Sequence, residues 1–340
     1  MVTEFFYIGG VYLEQDNKHM RCHQVYVEHY LPQKQTHPYP VVFFSGTGMT
    51  GTNWMTKPDG EPGWADYFLS KGYEIYLVDQ PARGRSSYNP ILDGKYTNLS
   101  VETVESLFTH FKETGTWPQA HLHSQWPGKG VSGDKIFDKF MDSTVAYLLD
   151  NDKTQKLAQR AGAALLDKIG PAILLTHSQA GAFGWLIADV RPPLVKGIIA
   201  IEPLGPPRQL SILTGKRKCR WGITDIPITF SPEVDDSEKL LWVKVKSLNP
   251  NYIDSYLQEE PARQLLNLKG IPILIVSGEA SYHAPCDIWI SRFLTQAGIK
   301  NEYIELANYG IHGNGHLMML EKNSDEIASL IIDWLKNIKL

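Results

Sequence analysis

The sequence predicts an α/β fold, a mostly parallel central sheet flanked by helices, on three observations. First, the short unbroken apolar runs Val41-Val42-Phe43-Phe44 and Ala172-Ile173-Leu174-Leu175 are strands buried on both faces. Second, such runs empty into small-residue loops and are separated by helix-patterned segments such as 182–190. Third, the strand-like run 195–201 ends in Glu202-Pro203, an acid at the carboxyl end of a strand, where open α/β sheets place their sites.

Taken in order, residues 7–12 and 24–30 read as two antiparallel strands, followed by a proline-containing linker over 32–40. The strand at 41–44 runs into Ser45-Gly46-Thr47-Gly48-Met49-Thr50-Gly51, whose glycine density lets backbone N–H groups turn toward a ligand. The next strand, 74–79, ends in Gln80-Pro81-Ala82-Arg83-Gly84-Arg85-Ser86, and Asp79 is assigned to holding that turn. Residues 88–139 are rich in Pro, Gly, Trp, His and Thr without clear periodicity, which suits a structured excursion over a site mouth or an ordinary long loop. A second excursion, 203–261, carries the basic run Lys216-Arg217-Lys218, read as a solvated face. A strand at 271–276 follows, then the loop Gly313-Asn314-Gly315-His316, a helix-like 317–321, and a helix over 324–339. In that last helix Ile327, Leu330, Ile331, Trp334 and Leu335 recur at helical spacing and should close one sheet face.

At 340 residues with 43% hydrophobic content, the chain suffices for one large domain with inserted cap segments, 88–139 and 203–261. A net charge of −4 with scattered Lys and Arg argues against nucleic acid and an anionic membrane surface, and favours a small-molecule substrate. No apolar run approaches the roughly 20 residues that span a bilayer, and residues 1–12 lack the charged start and cleavage site of a signal peptide. The cysteines Cys22, Cys219 and Cys286 form neither an even framework nor a metal-ligand spacing, so a reducing, cytoplasmic setting is expected. His121, His123 and His283 are too dispersed for a metal set, and no metal or cofactor is inferred. Association as a homodimer stays open.

Chemistry concentrates on Thr176-His177-Ser178-Gln179-Ala180-Gly181, a buried strand turning sharply into a helix with a serine at the apex. So tight a turn wants small flanking residues, usually G-x-S-x-G; here they are Thr176 and Ala180, with Gly181 next. Ser178, Glu202 and His316 then follow in the order nucleophile, acid, base that α/β-hydrolase triads use. Other assignments stay open: Glu279 or Asp287 for the acid and His312 for the base. The oxyanion donors would be the backbone N–H groups of Thr47 and Gln179, with Gly48 an alternative to Thr47. Trp54, Trp126 and Tyr282, with Trp185 and Trp289, are candidates for an aromatic substrate wall.

Several stretches together resemble one branch of the α/β-hydrolase superfamily: Trp54 with 58–67, Val78-Asp79-Gln80-Pro81-Ala82-Arg83-Gly84-Arg85-Ser86, Gln125-Trp126-Pro127-Gly128, His177-Ser178-Gln179-Ala180-Gly181, Ile201-Glu202-Pro203 and Gly313-Asn314-Gly315-His316. That branch is similar to a bacterial esterase acting on esters of halogenated cyclic compounds. The resemblance implies an α/β-hydrolase fold and a Ser178-Glu202-His316 triad, with the acid after the sixth strand. The hole loop departs from the family: it commonly opens His-Gly, whereas this chain has Ser45-Gly46. The expected activity is a serine hydrolase cleaving a carboxylic ester or lactone of a cyclic or aromatic small molecule through an acyl-enzyme. The alternatives are a cofactor-free C–C bond hydrolase or cyclase on the same fold, or a binding protein that keeps only the pocket.

Overall fold

The computed structural model describes residues 2–209 and 219–338. Its centre is an 8-stranded sheet built from β1 (Val2–Ile8), β2 (Val25–Tyr30), β3 (Val41–Phe44), β4 (Ile75–Val78), β5 (Ala172–His177), β6 (Val195–Ile201), β7 (Ile273–Ser277) and β8 (Glu302–Glu305). The spatial order is β1-β2-β4-β3-β5-β6-β7-β8. β2 runs antiparallel to both β1 and β4, and every pairing from β4 to β8 is parallel. A parallel sheet aims all its carboxyl ends one way, which brings the loops after β3, β5, β6 and β7 to one rim.

Strand alternation divides the core. Val42, Phe44, Leu174, Ile198 and Ala200 face one layer, whereas Val41, Phe43, Ile173, Leu175, Ile199 and Ile201 face the other. The helices α1 (Trp64–Ser70), α2 (Lys135–Ser143), α3 (Asn151–Ile169), α4 (Gly181–Val190), α5 (Ile288–Gln296) and α6 (Ser324–Asn337) cover the two faces. α3, α4 and α5 pack on the first layer through Leu165, Phe183 and Phe293, and α1, α2 and α6 on the second through Phe68, Phe140 and Ile331.

Four elements differ from expectation. Residues 7–12 are not one strand: β1 stops at Ile8, Gly9 takes φ +69°, and a separate hairpin, Val11–Gln15 with Lys18–Cys22, turns on Asp16 and Asn17 at φ +51° and +59°. The 271–276 strand starts two residues late, because Pro272 has no N–H to give the ladder. Residues 317–321 hold only a 3-10 turn, Met318–Leu320. Helix α3, 19 residues long, lies where no element was expected. Its buried face mixes Leu157, Leu165 and Leu166 with Thr154, Gln155 and the small Ala158, Ala161, Gly162 and Ala163, which blurs the apolar period; Gly162 lets Ile187 of α4 approach to 2.2 Å of where a Cβ would stand.

The stretch 88–139 is structured. A short helix, Val101–Val104, continues into a π-helical turn, Glu105–Thr109, and Tyr96–Thr97 pairs with Tyr147–Leu148. Of 203–261, the run Lys216-Arg217-Lys218 lies outside the described residues. The rest includes a hairpin, Trp242–Val245 with Ser255–Gln258, whose Trp242 stacks on Phe293 of α5.

Candidate active site

β5 ends at His177 in extended conformation, and Ser178 then takes φ +56° before the chain enters α4. A left-handed non-glycine residue costs about 1–2 kcal/mol, so its surroundings must hold it. The Ser178 carbonyl accepts from Leu204 N at 3.0 Å, and a Cβ on Gly181 would stand 2.3 Å from Pro203 Cβ. The glycine at 181 is therefore required by the close approach of the chain leaving β6.

At the end of β6, Glu202 is fully buried, also in left-handed conformation, at φ +42°. Its Oε1 accepts from Gly278 N at 2.7 Å; its Oε2 accepts from Ser281 Oγ at 2.7 Å and meets His316 Nδ1 at 2.5 Å. The other ring nitrogen, His316 Nε2, is 2.9 Å from Ser178 Oγ. Serine, imidazole and carboxylate thus stand in one line. The His316 loop is pinned by Glu321, which accepts from Gly315 N at 3.0 Å and Asn314 Nδ2 at 2.8 Å and meets His123 Nε2 at 2.8 Å. His177 Nε2 sits 3.0 Å from the His316 carbonyl.

The other acids lie elsewhere. Glu279 accepts from Gly313 N at 2.8 Å and meets His312 Nδ1 at 3.1 Å, bracing the glycine loop at the exposed rim. Asp287 meets His283 Nδ1 at 2.7 Å, and the His283 ring stacks on His316 at 4.8 Å. Asp79 holds its turn, accepting from Gly51 N and Arg85 N at 3.0 Å each.

Burial sets the charge states. It is the main cause pushing the His316 imidazole well below its ordinary value, helped by His177 and His283, and it lowers His177 to about 3. The same loss of hydration raises the Glu202 carboxyl. His316 is therefore neutral at neutral pH, with Nε2 able to accept a proton from Ser178. Glu202, His283 and His316 offer donor atoms within 4.8 Å of one another, as do His283, Cys286 and Asp287. Glu202 Oε2 is already engaged by Ser281 and His316 and Asp287 Oδ1 by His283, whereas Asp287 Oδ2 is buried without a hydrogen-bond partner among the described residues.

The β3 loop lies against the serine, since a Cβ on Gly46 would stand 3.1 Å from Ser178 Cβ. Thr47 is half-buried and Gln179 is buried; the Gly48 carbonyl accepts from Val145 N at 2.8 Å. Of the aromatic candidates, Tyr282 reaches the site: its Oη is 3.4 Å from His316 Nε2. Trp54 lies fully buried behind the site, stacked on Trp64 and edge-on to His177. Trp126 packs edge-on to Phe140 of α2, and Trp185 and Trp289 are core residues. Sequence reasoning passed over Phe108, half-buried in the π-helical turn, whose ring lies 5.2 Å from His316. It also passed over Arg83 and Ser281, whose roles come from folding alone, and Glu321, for which the one signal was an acid directly after the apolar run Leu317-Met318-Met319-Leu320.

A model of the alpha/beta hydrolase family matches residues 41–330. A protein of Fungal sp. (strain ATCC 74256) described as a probable secreted lipase is 45% identical over 336 residues, covering 98% of this chain and 90% of the relative. A bacterial esterase solved at atomic resolution is 21% identical, with a TM-score of 0.68 over 99% of this chain and 96% of that one, a likeness of fold. The cytoplasmic location expected from the cysteines is contradicted by the fungal relative, which is described as secreted. Cys22, Cys219 and Cys286 are buried thiols, and burial shields a thiol in any compartment. Among the described residues no helix is long and apolar enough to cross a membrane.

Proposed function

The chain belongs to the alpha/beta hydrolase family, and we propose that it is a serine esterase acting on a carboxylic ester or lactone of a ring-bearing small molecule. The observation that carries this reading is the line Ser178 Oγ, His316 Nε2 at 2.9 Å, His316 Nδ1, Glu202 Oε2 at 2.5 Å. A serine hydroxyl is a weak nucleophile at neutral pH, so neutral His316 takes its proton as Oγ attacks the substrate carbonyl. Glu202 holds the tautomer that keeps Nε2 free and balances the imidazolium that forms. The backbone N–H groups of Thr47 and Gln179 meet the oxyanion, each worth on the order of 3 kcal/mol in a dry site. Protonated His316 gives its proton to the leaving alcohol, and water activated by the same ring frees the acid.

The substrate class rests on Phe108 and Tyr282, whose half-buried rings flank His316 at 5.2 and 4.9 Å and suit a flat or cyclic group. Residues 88–139 and 203–261 act as cap segments of one hydrolase domain, the first supplying Phe108. The likeness to a secreted lipase favours an ester substrate and action outside the cell. Ser178→Ala should fold normally and lose about 10³-fold or more of kcat; retained turnover of an ester would remove Ser178 from the chemistry.

A further inference from the structure

Arg83, in the loop after β4, is a buried cation, 2% exposed, with no carboxylate partner among the described residues. Its Nη1 donates to the carbonyls of Gly46 at 2.7 Å and Met49 at 3.3 Å, and its Nη2 donates to Gln179 Oε1 at 2.9 Å. All three acceptors are neutral. Asp79 in the same loop is spent on Gly51 N and on Arg85, its salt-bridge partner. Lost hydration lowers the guanidinium to about 9, which leaves it protonated at neutral pH. An unpaired buried charge is costly, and the two chain segments that Arg83 grips are the two that flank Ser178.

The Gly46 carbonyl and the Thr47 N–H belong to one peptide plane, and in a trans peptide they point in opposite directions. Pinning the carbonyl on Arg83 fixes the heading of the Thr47 N–H, in a segment where a Cβ on Gly46 would stand 3.1 Å from Ser178 Cβ. A charged donor on the carbonyl also polarises the peptide and strengthens the N–H at its other end. The second arm holds Gln179, the residue after Ser178. Gln179 Nε2 donates to Asn151 Oδ1 at 2.8 Å, and Asn151 Nδ2 to Asp225 Oδ2 at 2.5 Å, so a relay of two amides joins Arg83 to a buried carboxylate.

We propose that Arg83 is the positioning residue of the oxyanion hole, one buried guanidinium that orients the Gly46–Thr47 peptide and Gln179 together and lends both donors its positive charge. This rests on the esterase reading. Being buried, Arg83 acts through the Gly46–Thr47 peptide and the Gln179 side chain and touches no substrate.

The test compares Arg83→Met and Arg83→Lys with wild type, using a p-nitrophenyl ester for turnover and a trifluoromethyl ketone of similar shape as a mimic of the tetrahedral adduct. Arg83→Met should lose about 10²-fold or more in kcat with KM within a few-fold, and should lose affinity for the ketone in proportion. Arg83→Lys keeps the charge but not the fork, and should fall between the two; it carries the test if Arg83→Met does not fold. A folded variant with wild-type kcat and ketone affinity overturns the proposal, as does a loss confined to KM. Labelling of wild-type Ser178 by a fluorophosphonate separates the two levels: a labelled Ser178 beside unaffected Arg83 variants refutes only the role of Arg83, whereas an unlabelled Ser178 refutes the esterase reading beneath it.

Discussion

Replacing Glu202 by Gln removes one charge and almost no volume, at a site where every contact needs an acceptor. The carboxylate accepts from Gly278 N, Ser281 Oγ and His316 Nδ1 at 2.7, 2.7 and 2.5 Å. An amide has one oxygen and one NH₂, so either orientation sets a donor against a donor. With NH₂ toward Gly278, a buried backbone N–H loses its partner, at about 1–3 kcal/mol of stability. With NH₂ toward His316, the ring is driven to the tautomer that carries its proton on Nε2, which can no longer accept from Ser178. The barrier should then rise by about 3–5 kcal/mol, a kcat loss of roughly 10² to 10⁴-fold, with KM nearly unchanged because Glu202, fully buried against Gly278, Ser281 and the imidazole, meets no substrate. Steady-state kinetics on a p-nitrophenyl ester, with a thermal melt to confirm folding, reads both effects. Glu279→Gln is the control, since Glu279 engages His312 and Gly313 instead. A Glu202→Gln enzyme within tenfold of wild type, or a large kcat loss in Glu279→Gln, would refute the assignment.

Gly181→Ala puts a methyl 2.3 Å from Pro203 Cβ and 2.6 Å from its Cα, so about 1–3 kcal/mol of stability should go and kcat should fall with it as the Ser178 turn shifts; unchanged melting and turnover would mean that the turn has slack. His177, held to about 3 by burial, refuses a proton that the unfolded chain takes up below about pH 6.5, so stability should drop by about 1.4 kcal/mol per unit as pH falls from 6.5 toward 3. Urea melts at pH 7, 6 and 5 should show a shallower slope in His177→Gln, and equal slopes would contradict this. Phe108→Ala should change the ratio of kcat/KM between a bulky cyclic and a small ester, because the ring lies over His316, whereas Trp126→Ala should cost about 3–5 kcal/mol of stability and leave that ratio alone, because Trp126 packs on Phe140. The reverse pattern would exchange the two roles.

Much of the sheet was legible because its strands are unbroken apolar runs, and β6 begins and ends where the run of Val195 to Ile201 does. Ser178, Glu202 and His316 each stand at a boundary that the sequence marks: the end of β5, the end of β6 and a glycine loop. The strand end favoured Glu202 over Glu279 and Asp287, and folding shows which carboxylate faces the His316 ring: Glu202 meets Nδ1, whereas Glu279 meets His312 and Asp287 meets His283. Aromatic residues misled for a physical reason. A tryptophan in an excursion looks equally suited to a pocket wall and to a core, and Trp54 and Trp126 sit in packing while the less conspicuous Phe108 lies over the imidazole. Arg83 braces a loop remote from it in sequence and Glu321 reaches back to His123, and such long-range pairings leave no local pattern.

The covalent step offers the most direct measurement. Wild-type protein mixed with an activated ester of a ring-bearing acid and quenched within the first turnovers should gain the mass of one acyl group, and peptide mapping should locate it on Ser178, the hydroxyl 2.9 Å from His316 Nε2. Turnover of the ester with no acyl mass, or an acyl group on another residue while Ser178 stays unmodified, would contradict nucleophilic catalysis by Ser178.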